Sequence, residues 1–357
     1  MASSKGRRFF NYPFCGTFHD VFRCMLTIIE IAEATGFSKS TVSAVLSGSA
    51  GGHASEETRR IILDVATRMG YVPNQMARSL RQRRSNLIAI LDSVNFGSYA
   101  PEVLRGIDSV LRSNGCQQIH CQYDNYADFH EQIRRLMAFH PDGWIVLGFT
   151  RPGVDSVMAS LISRNEPMVQ VCSTEICVGA SGVYVDPMDI GRVAAEYFVS
   201  NGHRRVLYAA GGQGMRCLNG FSGVWEKNGL DFKKECTVLP PEVGIDNGRR
   251  LFSNWLKGGR RETAVLCYDD EMAGAFMAEA YRNNVRIPEE ISVVGIDDRD
   301  FCQLLAPSLT SVSLPKLERG LLTGKLLMKQ IRAKGHCAPE IINMQPKVIQ
   351  RESSRKL

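Results

Sequence analysis

The pattern of apolar and polar residues changes along the chain. In residues 27–46, two short amphipathic stretches flank a Gly-Phe-Ser turn, and residues 55–69 repeat apolar side chains at the spacing of one helical face. From residue 86 onward, short apolar runs alternate with amphipathic helical stretches. The pattern predicts three N-terminal helices around a small core, then a parallel α/β body with strands at Leu87–Leu91, Gly143–Leu147, Met168–Val171, Val206–Ala209, Ala264–Cys267 and Ile291–Gly295.

Capping residues delimit the first two helices. Thr27 and Glu30 have the spacing of a capping box, in which each side chain satisfies a backbone donor of the first turn. Gly36 suits the end of this helix, and Ser38 suits the start of the next. The second helix keeps small and polar residues for solvent: Lys39, Ser40, Thr41, Ser43 and Ala44. Such a face suits the major groove of DNA, and a helical hairpin inside some other domain is the alternative.

The formal net charge of +6 lies entirely in the N-terminal part of the chain. Residues 1–85 contain 12 Lys and Arg against 6 Asp and Glu, whereas residues 86–357 contain 31 of each. Five arginines and no acid lie from Arg68 to Arg84. A basic segment beside a helix-turn-helix favours contacts with DNA phosphates, and it predicts binding that weakens as the salt concentration rises.

Several motifs together resemble the lactose/galactose repressor (LacI/GalR) family of bacterial transcription regulators. They are the helix-turn-helix, the Tyr-Val-Pro-Asn link at 71–74, the hinge sequence at 74–80, and body motifs at 267–273, 287–295 and 307–310. The resemblance extends from about Met25 to Arg351. It implies an N-terminal all-α helix-turn-helix DNA-binding domain followed by a two-lobed α/β body similar to periplasmic binding proteins. This body would have doubly wound parallel sheets and a ligand cleft at the carboxyl ends of their strands.

The resemblance also implies a DNA interface for a homodimer on a near-palindromic operator. The residues expected at base edges are Lys39, Ser40 and Ala44, and those expected at phosphates are Thr41, Ser43 and Asn74. Leu80, beside Ala77, would enter the minor groove as a wedge that kinks the duplex, and ordinary apolar packing is the alternative. The remaining residues expected at this interface are Thr27, Ser38 and Arg78.

The expected domain boundaries follow from these motifs. Residues 1–24 have no counterpart in the family, and we interpret them either as sequence before the true start at Met25 or as a flexible arm that contacts DNA or a partner. Residues 25–72 form the helix-turn-helix domain, 73–85 the hinge helix and linker, and 86–352 the body. The first lobe is expected at about 86–185 and 311–338, and the second at about 186–310 and 339–352.

The expected cleft departs from the sugar sites of the family. The family pattern places an arginine three residues before Gly220, where this chain has Cys217, and Arg216 lies one position away, about 100° around a helix. The strand ends of the first lobe carry Gly148 and Cys172 where sugar-binding relatives often have Asn and Asp. The effector is therefore either a sugar, a less hydroxylated molecule, or absent.

Asp270 is the ligand residue that the resemblance transfers best. A carboxylate at a strand end can accept two hydrogen bonds from adjacent hydroxyls, and an N-cap of the following helix is the alternative role. Asp186 and Asp298 fit helix caps or lobe-crossing positions better. The residues that we expect at the effector site are Tyr99, Phe149, Cys172, Arg216, Cys217, Phe221, Asp270 and Asp298.

The sequence shows no signal for metal, cofactor or enzymatic chemistry. The eleven cysteines include no Cys-x-x-Cys pair and lack clustered histidines, so we expect no metal site. We also expect no cofactor and no enzyme, because no Gly-x-Ser-x-Gly or P-loop motif occurs. No apolar run suits a signal peptide or a membrane span, which predicts a cytoplasmic protein. A cytosolic small-molecule-binding protein whose DNA module is secondary is the alternative function.

Overall fold

The computed structural model describes residues 26–47, 54–72, 84–93, 100–148, 154–172, 176–209, 214–240 and 244–357. The chain divides into two compact units, Met1–Ser85 and Asn86–Leu357. Within the described ranges we find no helix with the length and apolar character that a membrane span requires. Six predicted site residues lie outside these ranges: Asn74, Ala77, Arg78, Leu80, Tyr99 and Phe149.

Three helices form the described part of the first unit: α1 (Ile28–Thr35), α2 (Lys39–Leu46) and α3 (Glu56–Arg68). Ser55 caps α3 by accepting a hydrogen bond from the Thr58 amide at 3.2 Å. The helices share one small core, whose buried residues are Ile31, Ala32, Val42, Val45, Ile62 and Ala66. The three-helix core predicted from the hydrophobic pattern is therefore confirmed.

The second unit contains two six-stranded sheets, each the centre of one lobe. The first sheet has the order β11-β5-β4-β3-β1-β2 and is parallel throughout. Its strands are β1 (Leu87–Ser93), β2 (Gln117–Tyr123), β3 (Gly143–Leu147), β4 (Met168–Cys172), β5 (Ser181–Tyr184) and β11 (Ile341–Asn343). The helices of this lobe are α4 (Ala100–Ser113), α5 (Tyr126–Met137), α6 (Val154–Ser163) and α12 (Lys316–Arg332).

The second sheet has the order β12-β10-β9-β8-β6-β7, and only β12 among these strands runs antiparallel to its neighbour. Its strands are β6 (Val206–Ala209), β7 (Cys236–Leu239), β8 (Ala264–Leu266), β9 (Ser292–Asp297), β10 (Thr310–Ser313) and β12 (Lys347–Ile349). The helices of this lobe are α7 (Pro187–Ser200), α8 (Gly214–Lys227), α9 (Phe232–Glu235), α10 (Ile245–Lys257) and α11 (Asp270–Arg282). This two-lobed parallel architecture is the predicted one.

The chain crosses between the sheets after β5, β10 and β11, each time from the carboxyl end of a strand. The carboxyl ends of both sheets therefore face the crossovers, and this edge is where ligands bind in open α/β sheets. Two predicted lobe boundaries are wrong. Strand β10, placed in the first lobe as part of 311–338, pairs with β9 in the second sheet. Strand β11, placed in the second lobe as part of 339–352, pairs with β5 in the first sheet.

Paired glycines bring two helices of each lobe into backbone contact. In the first lobe Gly106 of α4 faces Gly320 of α12, and in the second lobe Gly191 of α7 faces α8 at Gly220. A Cβ atom on any of these glycines would clash with a main-chain carbonyl oxygen of the facing helix. Each lobe thus depends on a helix crossing that admits no side chain on either partner.

Candidate DNA-binding surface and ligand cleft

Capping residues delimit α1 and the start of α2. The Thr27 amide donates to Glu30 Oε2 at 2.6 Å, and the Glu30 amide donates to Thr27 Oγ1 at 3.4 Å, which is the predicted capping box. Gly36 ends α1 with φ at 72°, in the left-handed region. Ser38 then begins α2 and accepts a hydrogen bond from the Thr41 amide at 3.2 Å. These caps set the start and the end of α1 and the start of α2.

Helix α2 has one buried face and one accessible face. Val42 and Val45 point into the core of the unit and are 0% and 4% exposed. The accessible face carries Lys39, Ser40, Thr41, Ser43 and Ala44, as predicted. It offers one cation, three hydroxyls and the methyl groups of Thr41 and Ala44, which are groups that contact phosphates, base edges and the thymine methyl in protein–DNA interfaces.

Asp270, the predicted ligand residue, is turned into the second lobe. Its side chain is fully buried, where Oδ1 accepts from Ser311 Oγ at 2.6 Å and Oδ2 accepts from the Arg299 amide at 2.8 Å. Burial raises the pKa of this carboxyl group. The N-cap of α11 is the neighbouring Asp269, which accepts from the Met272 amide at 2.7 Å. Both alternatives for Asp270 thus need correction, because its oxygens tie β10 to the turn after β9.

Asp297 lies at the carboxyl end of β9 in the second sheet, and it is not among the predicted site residues. It ends β9 with φ at 109°, a conformation that residues with a side chain rarely adopt. Its side chain is partly buried. Burial raises its pKa to about 7, although the positive charge of Lys316 acts to lower it. Backbone strain and a strongly shifted pKa both mark functional residues.

Lys316 supplies the positive charge at this edge. It begins α12, directly after the crossover from β10, and its side chain is only 4% exposed. Its Nζ atom lies 3.8 Å from Glu102 Oε1 in α4 of the first lobe. Its charge also lowers the pKa values of Asp297 and Asp270 in the second lobe. One buried cation therefore interacts with carboxylates of both lobes.

Arg216 remains a candidate ligand residue. It lies in α8, and its Nη2 is 3.3 Å from Asp186 Oδ2. Asp186 caps α7 by accepting from the Met188 amide at 2.9 Å, which confirms its predicted role as a cap. The Arg216 side chain is 42% exposed, so solvent and small molecules reach it.

Cys217 and Phe221, both predicted at the effector site, lie in the core. Cys217 is 4% exposed, and burial raises the pKa of its thiol to about 11. Phe221 is fully buried and stacks on Trp225 with 4.7 Å between ring centroids. Both side chains point inward because this face of α8 packs against α7 across Gly191. The prediction that Phe221 lies at the effector site is therefore wrong.

Cys172 and Asp298 also serve structural contacts. The Cys172 side chain is fully buried at the end of β4, and its carbonyl oxygen accepts from the guanidinium of Arg319. The fully buried Arg319 also donates to Val183 O at 3.1 Å, so it joins the ends of β4 and β5. Asp298 pairs with Arg351 at 2.6 Å, which anchors the chain after β12. Arg319 is not among the predicted residues, and the sequence signal that could have identified it is a basic residue within the apolar stripe of α12.

Two family models match the chain. The model of bacterial regulatory proteins of the lacI family matches residues 27–74, and the model of the periplasmic binding protein-like domain matches residues 195–354. The HTH-type transcriptional repressor PurR of Photobacterium profundum is 25% identical over 340 residues, covering 93% of this chain and 100% of the relative. The HTH-type transcriptional regulator GntR of Pseudomonas aeruginosa is 28% identical over 313 residues, covering 86% and 90%.

Solved structures share the fold at low sequence identity. The Lac repressor dimer bound to operator and the anti-inducer ONPF superposes with a TM-score of 0.79 at 20% identity, covering 92% of this chain and 99% of that one. The complex of the transcriptional regulator CelR with cellobiose gives a TM-score of 0.65 at 24% identity over the same shares. The chain thus joins a lacI-family helix-turn-helix domain to a periplasmic-binding-protein-like body, and it is a DNA-binding transcriptional regulator of the LacI family.

Proposed function

We propose that the protein is a repressor that binds a near-palindromic operator as a homodimer, in the cytoplasm. The observation that carries this proposal is the accessible polar face of α2, held opposite a closed three-helix core. A single module of this size buries too little surface for tight specific binding, and two modules related by a two-fold axis match two half-sites. PurR is named a repressor, and the Lac repressor structure contains a dimer on its operator.

Selection of bound sequences from a random duplex library tests DNA recognition. We expect the full chain to enrich a near-palindromic site and Lys39→Ala to change the preferred bases within each half-site, because Lys39 is expected at base edges. Lys234→Ala removes one exposed cation from the body and serves as the control that keeps the preference. Leu80→Ala should lose preference at the central step if this leucine is the wedge. Absence of enrichment at low salt would overturn the proposal.

We further propose that a small hydroxylated effector binds at the carboxyl ends of the strands and changes operator affinity. Asp297 would accept hydrogen bonds from its hydroxyls, and Arg216 would donate to an acceptor of the ligand. The support is the carboxylate of Asp297 and the exposed guanidinium of Arg216. Neighbouring structures were solved with ribose and with cellobiose. An effector that prefers one lobe arrangement would shift operator affinity by linkage.

Thermal shift with a panel of mono- and disaccharides, starting from ribose and cellobiose, tests the effector site. A ligand at 100 times its Kd stabilises a folded protein by about 2.7 kcal/mol, which gives a measurable rise in Tm. We expect Asp297→Asn to reduce this rise, because the amide replaces an acceptor oxygen by a donor. Asp300→Asn changes an exposed acid three residues away and should keep it. An equal response of both variants would exclude Asp297 as a ligand residue.

A further inference from the structure

The second lobe has a small cavity at the carboxyl ends of β6 and β7, beneath α10. Its volume is 160 Å³, which holds on the order of ten water-sized groups. Its apolar lining includes Leu239, at the end of β7, Leu251 of α10 and Met272 of α11. Strand β6 is two positions from β9 in the sheet, and neighbouring strands are about 4.8 Å apart. The cavity therefore lies on the order of 10 Å from Asp297.

Among the described residues, one helix supplies the polar groups of the cavity. Asn247, Arg250 and Asn254 of α10 line it, and Arg250 is the one charged residue in this described part of the lining. The Arg250 guanidinium donates to Asn247 Oδ1, which orients it beside the cavity. A guanidinium has five N–H donors in a planar fork that fits a carboxylate, so an acid can join the partners that Arg250 already has. The two amides supply further donors to the same acid.

We propose that this cavity binds a small organic acid, with the carboxylate at Arg250 and the apolar body on Leu251 and Met272. An apolar lining with a few convergent polar groups is the usual composition of a small-molecule site. The volume of the cavity accommodates about ten non-hydrogen atoms. This inference goes beyond the proposed function, because it concerns a second ligand and requires neither DNA nor Asp297.

Titration of the free full-length protein with benzoate and with benzamide tests this site, because the two probes share shape and differ in charge. The readout is the ¹³C-methyl NMR signal of Met272, assigned with Met272→Leu. We expect a saturable shift with benzoate, with a Kd on the order of 1 mM, and at least tenfold weaker binding of benzamide. Arg250→Met should weaken benzoate binding at least tenfold.

Arg249→Met is the matched control. Arg249 is the adjacent residue of α10, does not line the cavity, and pairs with Asp246 at 3.0 Å. We expect this variant to bind benzoate within twofold of the unchanged protein. The proposal is overturned if benzoate gives no saturable shift, if benzamide binds equally well, or if both arginine variants lose binding alike. Because no DNA is present, failure here is distinguishable from failure of operator binding.

Discussion

At the scale of single residues, Asp297 links stability to pH. Its pKa rises on folding from 3.8 to about 7, so between these values the folded state binds more protons than the unfolded state. Stability contributed by this group is therefore lost as the pH rises toward 7. At pH 7.5 we expect the free energy of unfolding of Asp297→Asn, measured in urea, to exceed that of the unchanged protein by on the order of 1–2 kcal/mol. The difference should shrink toward pH 4.5, and a constant difference would contradict the assignment.

His203 gives a pH dependence of opposite sign. It is fully buried, with Nδ1 at 2.9 Å from Thr263 Oγ1 and Nε2 at 3.0 Å from the carbonyl oxygen of Arg355. Burial lowers its pKa below 6.5, so the folded state resists protonation and loses stability as the pH falls below that value. We expect His203→Gln to flatten the fall in Tm between pH 6.5 and 5. A variant that keeps the full slope would show that other groups cause it.

The sequence could not rank the acids at the ends of β8 and β9. Asp270 and Asp297 both follow apolar runs, so both have the position of a ligand residue. What separates them is the set of partners that folding brings from distant positions, since Asp270 contacts the Arg299 amide and Ser311. The same reason explains Phe221, because the packing of α8 on α7 is a tertiary contact.

At the scale of elements, the glycine crossing of α7 and α8 makes a sharp prediction. A methyl group at Gly220 would clash with the carbonyl oxygen of Met188, whereas at Gly223 of the same helix it would meet no atom within 4 Å. We expect Gly220→Ala to destabilise the body by roughly 2–3 kcal/mol. Gly223→Ala should be neutral or stabilising by up to about 1 kcal/mol, because alanine favours helix. Equal effects in urea unfolding would contradict the close crossing.

Elements with strong periodicity could be predicted, and short edge elements could not. The six predicted strands are β1, β3, β4, β6, β8 and β9, which occupy central positions in the two sheets and are nearly all apolar. The edge strand β2 reads Gln-Gln-Ile-His-Cys-Gln-Tyr and is mostly exposed, so it lacks an apolar run. Strands β11 and β12 have three residues each, too few to show a period.

At the scale of the whole molecule, the pairing of a strand determines the lobe to which its segment belongs. Strands β10 and β11 lie 27 residues apart, on either side of α12, yet they belong to different sheets. The amino-acid composition of β10 and β11 does not show which sheet each strand joins, because both strands are short and pair through backbone hydrogen bonds. The sequence could therefore predict two lobes and their order. The positions at which the chain crosses between the lobes could be located only from the strand pairing.

The two-fold symmetry proposed for the regulator makes the last prediction. If a homodimer places one α2 in each half-site, both half-sites contribute to the same binding event. Replacing one half-site of the selected operator by unrelated sequence of equal length should then reduce affinity at least about 100-fold, because one recognition helix keeps only phosphate contacts. Fluorescence anisotropy at one fixed salt concentration measures this, and the intact site with unrelated flanks is the control. Equal affinity for both duplexes would mean that a single module carries recognition, and the homodimer would have no role in it.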